Sequence, residues 1–484
     1  MVPSNNSIIL SGAERAKQSS AQSKDPYPLL AFVTSITAFS TTAATLLVLL
    51  TVAITTAAAQ DHPIALKGAK LLTITHGTIE NGTVVMQNGK ITGVGSNAAI
   101  PADAQVVDAT GMTIYPGLID SETQLGLTEI SAENMTNDLV EPSDEIMPHM
   151  HVYDAFHAES ALIPVARLNG ITNAIVAPES LDTLPGQDSF IQLAGRDATE
   201  MLLIRDIAMP LNFTGDQRRN KGGFDKRKFP STRMGLIAQM RQAFLDAKDY
   251  EAKWSDYERK KSEAADSEKA KTDEKNNRDK PKKSAPMAPK RDLKLEALIP
   301  YLDGKKTIVL AAENPSDLET IVNFANEFHL KYVLNHISHS QPVLDYVASL
   351  KVPVIVGPIY EAPKEDERYD AVYSLPAQLY KRGVKIAFAS YSAHNVRNLP
   401  DAAGFATAFG LPYDEAMKAV TINAAEIWGV ADKLGSLDVG KTANVVVATG
   451  DPLDMKTDVK QVYIEGKAIP MTSRQTVLRD EYSK

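Results

Sequence analysis

Two hydrophobic rhythms divide the chain. From Ile64 to Val107 apolar and polar residues alternate over short stretches, the period of strands that bury one face. Asn81-Gly82 and Asn88-Gly89 interrupt these stretches and predict hairpin turns, since Asn-Gly readily takes the left-handed backbone of a two-residue loop. The same style returns at Leu434–Val447 and Val462–Lys467. Between the two ends the pattern changes. Short apolar runs at Ile114–Asp120, Asn173–Val176, Ser189–Leu193, Met209–Phe213, Thr307–Ala311, Tyr332–Leu334, Val354–Val356 and Lys385–Phe388 alternate with helix-length segments. That order predicts an α/β fold of βα units around a parallel sheet. Eight such strands fit a (β/α)8 TIM-like barrel, whose functional groups sit at the C-terminal strand ends. Leu318–Phe328 and Asp414–Trp428 have the spacing of outer helices, and Met234–Tyr250 and Leu293–Leu302 are expected to pack on the barrel.

Two stretches break these rhythms. Arg259–Lys283 holds 16 charged residues in 25, too many to bury an apolar face, so a solvated helix extension or a loop is expected within an insertion at about 251–291. At the other extreme, no charged residue occurs from Pro26 to Gln60, and Leu46–Leu50 is the apolar centre. Arg15, Lys17 and Lys24 precede it, and Ala57-Ala58-Ala59-Gln60-Asp61 offers a small-residue cleavage site. Residues 1–59 therefore read as a signal peptide, with the protein exported to a periplasm or secreted. The alternative is an uncleaved membrane anchor, against which the many Thr and Ala residues count. The 484 residues suffice for a large barrel and a smaller companion domain. A net charge of −9 argues against nucleic acid as the main partner. With no cysteine in the chain, any metal must be held by His, Asp, Glu or a modified Lys.

Candidate chemistry centres on Ile114-Tyr115-Pro116-Gly117-Leu118-Ile119-Asp120-Ser121-Glu122-Thr123-Gln124. Alternation along a strand makes Glu122 and Gln124 project together. With this phrase, with Leu434-Gly435-Ser436-Leu437-Asp438-Val439-Gly440-Lys441-Thr442-Ala443, and with Ala419–Ile427, the chain resembles the amidohydrolase superfamily. Its imidazolonepropionase-like and prolidase-like members are nearest. The resemblance implies a barrel over 114–429, flanked by a β-sandwich built from 60–113 and 430–484. It also implies metal-dependent hydrolysis of C–N bonds. In such enzymes metal ions acidify a water and polarise the scissile carbonyl, and an Asp on the last strand takes the proton.

Position by position, the expected donors are missing. Glu122 and Gln124 stand where a His-x-His pair would be, and a neutral Gln is a poor zinc ligand. Pro210 falls at the place of a carboxylated lysine, just before Gly215-Asp216-Gln217-Arg218-Arg219. Ala311 occupies the fifth-strand histidine position. His336 keeps the sixth-strand histidine. Ser390-Tyr391 replaces the final Ser-Asp, and a phenol, with a reference pKa of about 10, stays protonated at neutral pH. The expectation is an exported homologue without catalytic residues or cofactor. Its degenerate pocket of Glu122, Gln124, Pro210, Ala311, His336, Ser390 and Tyr391 would hold a small polar ligand. It would act as a homo-oligomer or beside an active relative, touching a membrane only if the leader is retained. The alternative is an active amide or cyclic-amide hydrolase with a rebuilt mononuclear site. Glu122, His336 and His339, with His394 nearby, would there hold one divalent ion such as zinc. His149, His151 and His157 are expected to cover the barrel mouth, and Pro185-Gly186-Gln187-Asp188 is either a ligand-side loop or a simple turn.

Overall fold

The computed structural model describes residues 62–213, 229–230, 232–273 and 286–483, with side chains of the long helix as far as 266. The expected leader, the Gly215–Arg219 phrase and the last part of the charged insertion lie outside the described residues.

Both ends of the chain build one eight-stranded sheet. Its N-terminal strands are β1 (Ile64–Leu72), β2 (Thr78–Gln87), β3 (Lys90–Gly95), β4 (Gln105–Asp108) and β5 (Thr113–Pro116). The barrel strands follow: β6 (Leu118–Thr123), β7 (Ile171–Val176), β8 (Asp188–Gln192), β9 (Leu202–Asn212), β10 (Thr307–Ala311), β11 (Tyr332–Asn335), β12 (Val354–Val356) and β13 (Ile386–Phe388). The chain returns to the first sheet as β14 (Val445–Ala448), β15 (Val459–Ile464) and β16 (Lys467–Ala468). The flanking unit is thus a single sheet, in which β5 joins the two ends by pairing with β1 on one side and β14 on the other. Leu66, Val84, Ile114, Val445 and Tyr463 share its core. Asn444, just ahead of β14, ties the sheet to the barrel: its Nδ2 donates to Asn173 Oδ1 at 2.8 Å, and its Oδ1 accepts from Glu465 N at 2.9 Å.

Two strand expectations need correction. Ile114–Asp120 is not one strand. The chain leaves the flanking sheet at Pro116 and enters the barrel at Leu118, with Gly117 at the crossing. A Cβ at Gly117 would sit 2.1 Å from Thr172 Oγ1, so the two sheets approach there as closely as glycine alone permits. The crossing therefore falls three residues beyond the boundary expected after residue 113. Second, the barrel is not wholly parallel. β8 runs antiparallel to both β7 and β9, because the segment between β7 and β8 contains no crossover helix. Asn81-Gly82 also differs from expectation: it lies inside β2 beside a register shift in β1, whereas Asn88-Gly89 does turn the chain.

The eight barrel strands form one sheet from β6 to β13, nearly closed by bonds between its edges. Tyr391 N, just past β13, donates to Glu122 O of β6 at 3.0 Å, and beside it Ile119 N of β6 donates to Val420 O, between two of the later helices, at 2.9 Å. Ile119, Ile175, Phe190, Ala208, Val309, Val333, Ile355 and Ala387, one from each strand, pack together inside, as expected for a filled barrel. Outside lie helices at Pro315–Glu327, Ala371–Lys381 and Leu399–Ala408, with Tyr413–Ala419 and Ile422–Ile427 replacing the single helix expected over Asp414–Trp428. Arg233–Asp273 is one helix, so the charged segment begins as a helical extension. Its first half packs Phe244 edge-on against Phe324 with ring centroids 5.4 Å apart. Among the described residues no helix is long and apolar enough to cross a membrane.

Candidate functional site

The barrel mouth begins one layer above the apolar plug. Two residues along from Ala208, Val309, Val333 and Ile355 come Pro210, Ala311, Asn335 and Gly357, which alternation places on the same face. Along β6 a register irregularity between Asp120 and Thr123 breaks the simple alternation. It leaves Glu122 facing Asn335, whose Nδ2 donates to Glu122 Oε2 in a short hydrogen bond.

Asn335 is the hub of the mouth. Its Oδ1 accepts from Tyr391 OH in a second short bond and from His336 N at 2.7 Å. The His336 ring packs on Tyr391 with centroids 4.3 Å apart, and its Nε2 lies 3.1 Å from Ser180 Oγ and 3.5 Å from Glu122 Oε1. His336 and Tyr391 both have left-handed backbones, with φ of 52° and 49°. Such a conformation costs a non-glycine residue about 1 kcal/mol or more, so the surrounding bonds must hold both in place. Tyr391 is held by its N–H bond to Glu122 O and by close approach to Gly357. Burial, with Glu122 and Asp120 adding negative charge nearby, holds the Tyr391 phenol well above its ordinary pKa and hence neutral. Tyr391→Phe is expected to lower stability by about 1–2 kcal/mol, because Asn335 Oδ1 then keeps only its backbone donor. An unchanged urea-unfolding midpoint would show that the hydroxyl is dispensable.

Behind the mouth lie two acids that sequence reasoning did not single out. Asp120 is fully buried; its Oδ1 accepts from Ser390 N at 3.0 Å and Glu122 N at 3.2 Å, and its Oδ2 has no partner. Burial outweighs those bonds and pushes its carboxyl up to about 7. Asp188 is also fully buried, with neither carboxylate oxygen hydrogen-bonded. Burial first, and Glu122 second, hold it well above the usual carboxylate range. A signal existed for both: Asp120 directly follows the apolar pair Leu118-Ile119, and Asp188 stands two residues ahead of Phe190-Ile191.

A cavity of about 230 Å³ opens at the mouth. Glu122, Gln124, His336 and Tyr391 line it, joined by Ser180 and by Glu313 and Glu361. Ser390 lines a neighbouring cavity of about 190 Å³ that shares Pro358 and Glu361 with the first. Pro210 and Ala311 are buried and line neither cavity. His339 is turned away, its Nδ1 2.8 Å from a Glu367 oxygen. Of the other candidate histidines, His151 meets Asp206 at 2.7 Å, His157 meets Asp138 at 3.0 Å and His394 meets Glu129 O at 3.1 Å, whereas His149 Nδ1 is buried with no hydrogen-bond partner. Gln187 is a structural hub, its Oε1 accepting from Tyr301 OH at 2.9 Å and Lys306 Nζ at 3.1 Å. Neither it nor Gly186 lines either cavity.

The family model described as "Amidohydrolase family" matches residues 331–469. A solved amidohydrolase from Thermotoga maritima is 27% identical, with a TM-score of 0.71 over 85% of this chain and 100% of its own. This chain belongs to the amidohydrolase superfamily. Of relatives in the superfamily, amidohydrolase tasK from Hapsidospora irregularis is 26% identical over 406 residues, which is 80% of this chain. The chain spans only 40% of that relative's length. A Xaa-Pro dipeptidase structure with bound methionine, 15% identical at a TM-score of 0.51, shares the fold.

Superfamily membership implies metal ions at the mouth, and the donor set here does not fit them. Pro210 and Ala311 have no donor atom, the Tyr391 phenol is neutral, and Asn335 commits its amide to Glu122 and its carbonyl to Tyr391. Among the described residues no three His, Asp or Glu side chains are grouped to hold a metal ion. The trio Glu122, His336 and His339 is not brought together: the first two meet, and the third pairs with Glu367.

Proposed function

We propose that this superfamily member binds a small polar ligand at its barrel mouth and does not carry out metal-dependent hydrolysis. One observation carries this reading: the hydrogen-bonded chain Tyr391–Asn335–Glu122, which spends on protein partners the groups that a metal centre would need. The protein would be exported, with cleavage near Ala59, and would act as a homo-oligomer or support an active relative.

The second reading, an amide or cyclic-amide hydrolase with a mononuclear site, draws on the 3.5 Å approach of Glu122 and His336. Metal analysis of protein purified from zinc-supplemented cells separates the two. The expected result is substoichiometric metal, unaffected by Glu122→Ala, and no turnover of dipeptides or cyclic amides. One zinc per chain, lost in Glu122→Ala or His336→Ala together with hydrolysis, would replace the first reading by the second. N-terminal sequencing of exported protein tests the leader; a mature chain that retains residues 1–59 would make it an anchor.

A further inference from the structure

At the mouth a hydroxyl and an imidazole meet in the arrangement of a nucleophile and its base. Ser180 Oγ, on the segment between β7 and β8, lies 3.1 Å from Nε2 of His336, just past β11. That is within the reach of about 2.6–3.2 Å over which a base takes a proton from a hydroxyl. With its own proton on Nδ1, His336 accepts from Ser180 Oγ at Nε2. The residue is held from two sides: its ring packs on Tyr391 with centroids 4.3 Å apart, and its backbone N–H donates to Asn335 Oδ1. Glu122 Oε1 lies 3.5 Å from the same ring nitrogen. A carboxylate there favours the imidazolium that forms once the proton has moved. Ser180, His336, Glu122 and Gln124 line one cavity of about 230 Å³, so a single small molecule can touch all four.

We propose that Ser180 is the nucleophile of a metal-independent esterase acting on short-chain carboxylic esters, an activity that rests on the metal-free reading above. Ser180 Oγ bonds to the ester carbonyl carbon as its proton passes to His336 Nε2, and the carbonyl π pair moves onto oxygen. Gln124 brings a side-chain amide donor to the same cavity for that oxyanion. Collapse breaks the C–O bond: the alcohol leaves with the proton from His336, and the acyl group stays on Ser180. Water, deprotonated in turn by His336, then releases the carboxylic acid and restores the serine. The acyl chain is assigned to the adjoining cavity of about 190 Å³, lined in part by Ile359, Leu399 and Ala402. Glu313 and Glu361 also border the mouth, so the alcohol portion carries no negative charge and the acid product is repelled once formed. The same carboxylates weaken oxyanion stabilisation. They confine the site to slow turnover of esters, whose leaving groups are better than those of amides.

Labelling of the purified protein with diisopropyl fluorophosphate, read by peptide mass spectrometry, tests the assignment together with turnover of 4-nitrophenyl butyrate in EDTA. One phosphoryl adduct per chain is expected on Ser180, and ester turnover is expected to survive the chelator. Ser180→Ala should lose both. His336→Asn, chosen because asparagine tolerates the left-handed backbone there, should slow labelling about 100-fold or more. Glu122→Gln should slow it several-fold. No adduct on Ser180, or an unchanged labelling rate in His336→Asn, would overturn the proposal, because a serine that only satisfies the histidine is no more reactive than one on the surface. If His336→Asn fails to fold, the residue labelled in wild type decides. Metal content of the same sample separates the levels. Metal-free protein that takes no label refutes this inference alone, and one zinc per chain refutes the metal-free reading and this inference with it.

Discussion

Gly357→Ala is expected to destabilise the protein by about 3–5 kcal/mol. Two costs combine at this position. The backbone φ of 136° lies where residues with a side chain are strained. A Cβ there would sit 2.3 Å from Ala389 O and 3.1 Å from Tyr391 Cε2. The first contact is with backbone and cannot be relieved by turning a side chain. The second presses on the ring that Asn335 anchors, so the variant should disturb the mouth as well as the fold. Gly383→Ala is the control. Its φ of 77° is also left-handed, but nothing lies within 4 Å of the added carbon, so a loss of only about 1 kcal/mol is expected. Urea unfolding of both variants measures the contrast. Equal losses would mean that the close approach of β12 and the Tyr391 ring carries no energetic weight.

The second large effect depends on pH. Asp120→Asn should leave stability little changed at pH 4 and raise it relative to wild type as pH increases, by up to about 4 kcal/mol at pH 8. The sign follows from the direction of the shift. Burial raises the Asp120 carboxyl from an ordinary 3.8 to about 7, so between those values the folded state binds a proton that the unfolded state has released. The stability that neutral Asp120 contributes is full below about pH 4 and is lost as pH rises through 7. Asparagine keeps the oxygen that accepts from Ser390 N and Glu122 N and cannot ionise. Its amide inherits the same partnerless position as the protonated Oδ2, so that term largely cancels. Unfolding free energies of wild type and variant at pH 5 and pH 8 give the difference directly. A difference that stays flat across this range would remove the claim that Asp120 is buried against its charge.

How far the site was legible in the sequence varies by residue. Glu122, Gln124, His336 and Tyr391 do meet at the cavity, because each sits at a strand end whose neighbouring phrase marks its place. Asn335 is masked in the sequence by its neighbour His336, the residue type that the resemblance leads one to expect at this strand end. Alternation alone would have directed Asn335 inward, on the face of Val333, but the left-handed turn at His336 brings that ring into the mouth as well. His339 shows the opposite failure. Its spacing from His336 allowed a shared ion, and only the arrival of Glu367 from 28 residues away decides its partner.

By itself the sequence determined the α/β class, the strand-forming segments of the barrel, the contribution of both ends to one flanking sheet, and the lack of donor atoms at Pro210 and Ala311. These follow from local periodicity and residue chemistry, which need no partner to be read. Tertiary structure decided the antiparallel direction of β8, the split of the first strand at Gly117, the burial of Asp120 and Asp188, and the bonding of Asn335 to Glu122 and Tyr391. Each depends on a contact between residues far apart in the chain or on a one-residue irregularity in register. A shift of one residue reverses which face a side chain occupies, and hydrophobic pattern alone does not specify it at a strand end.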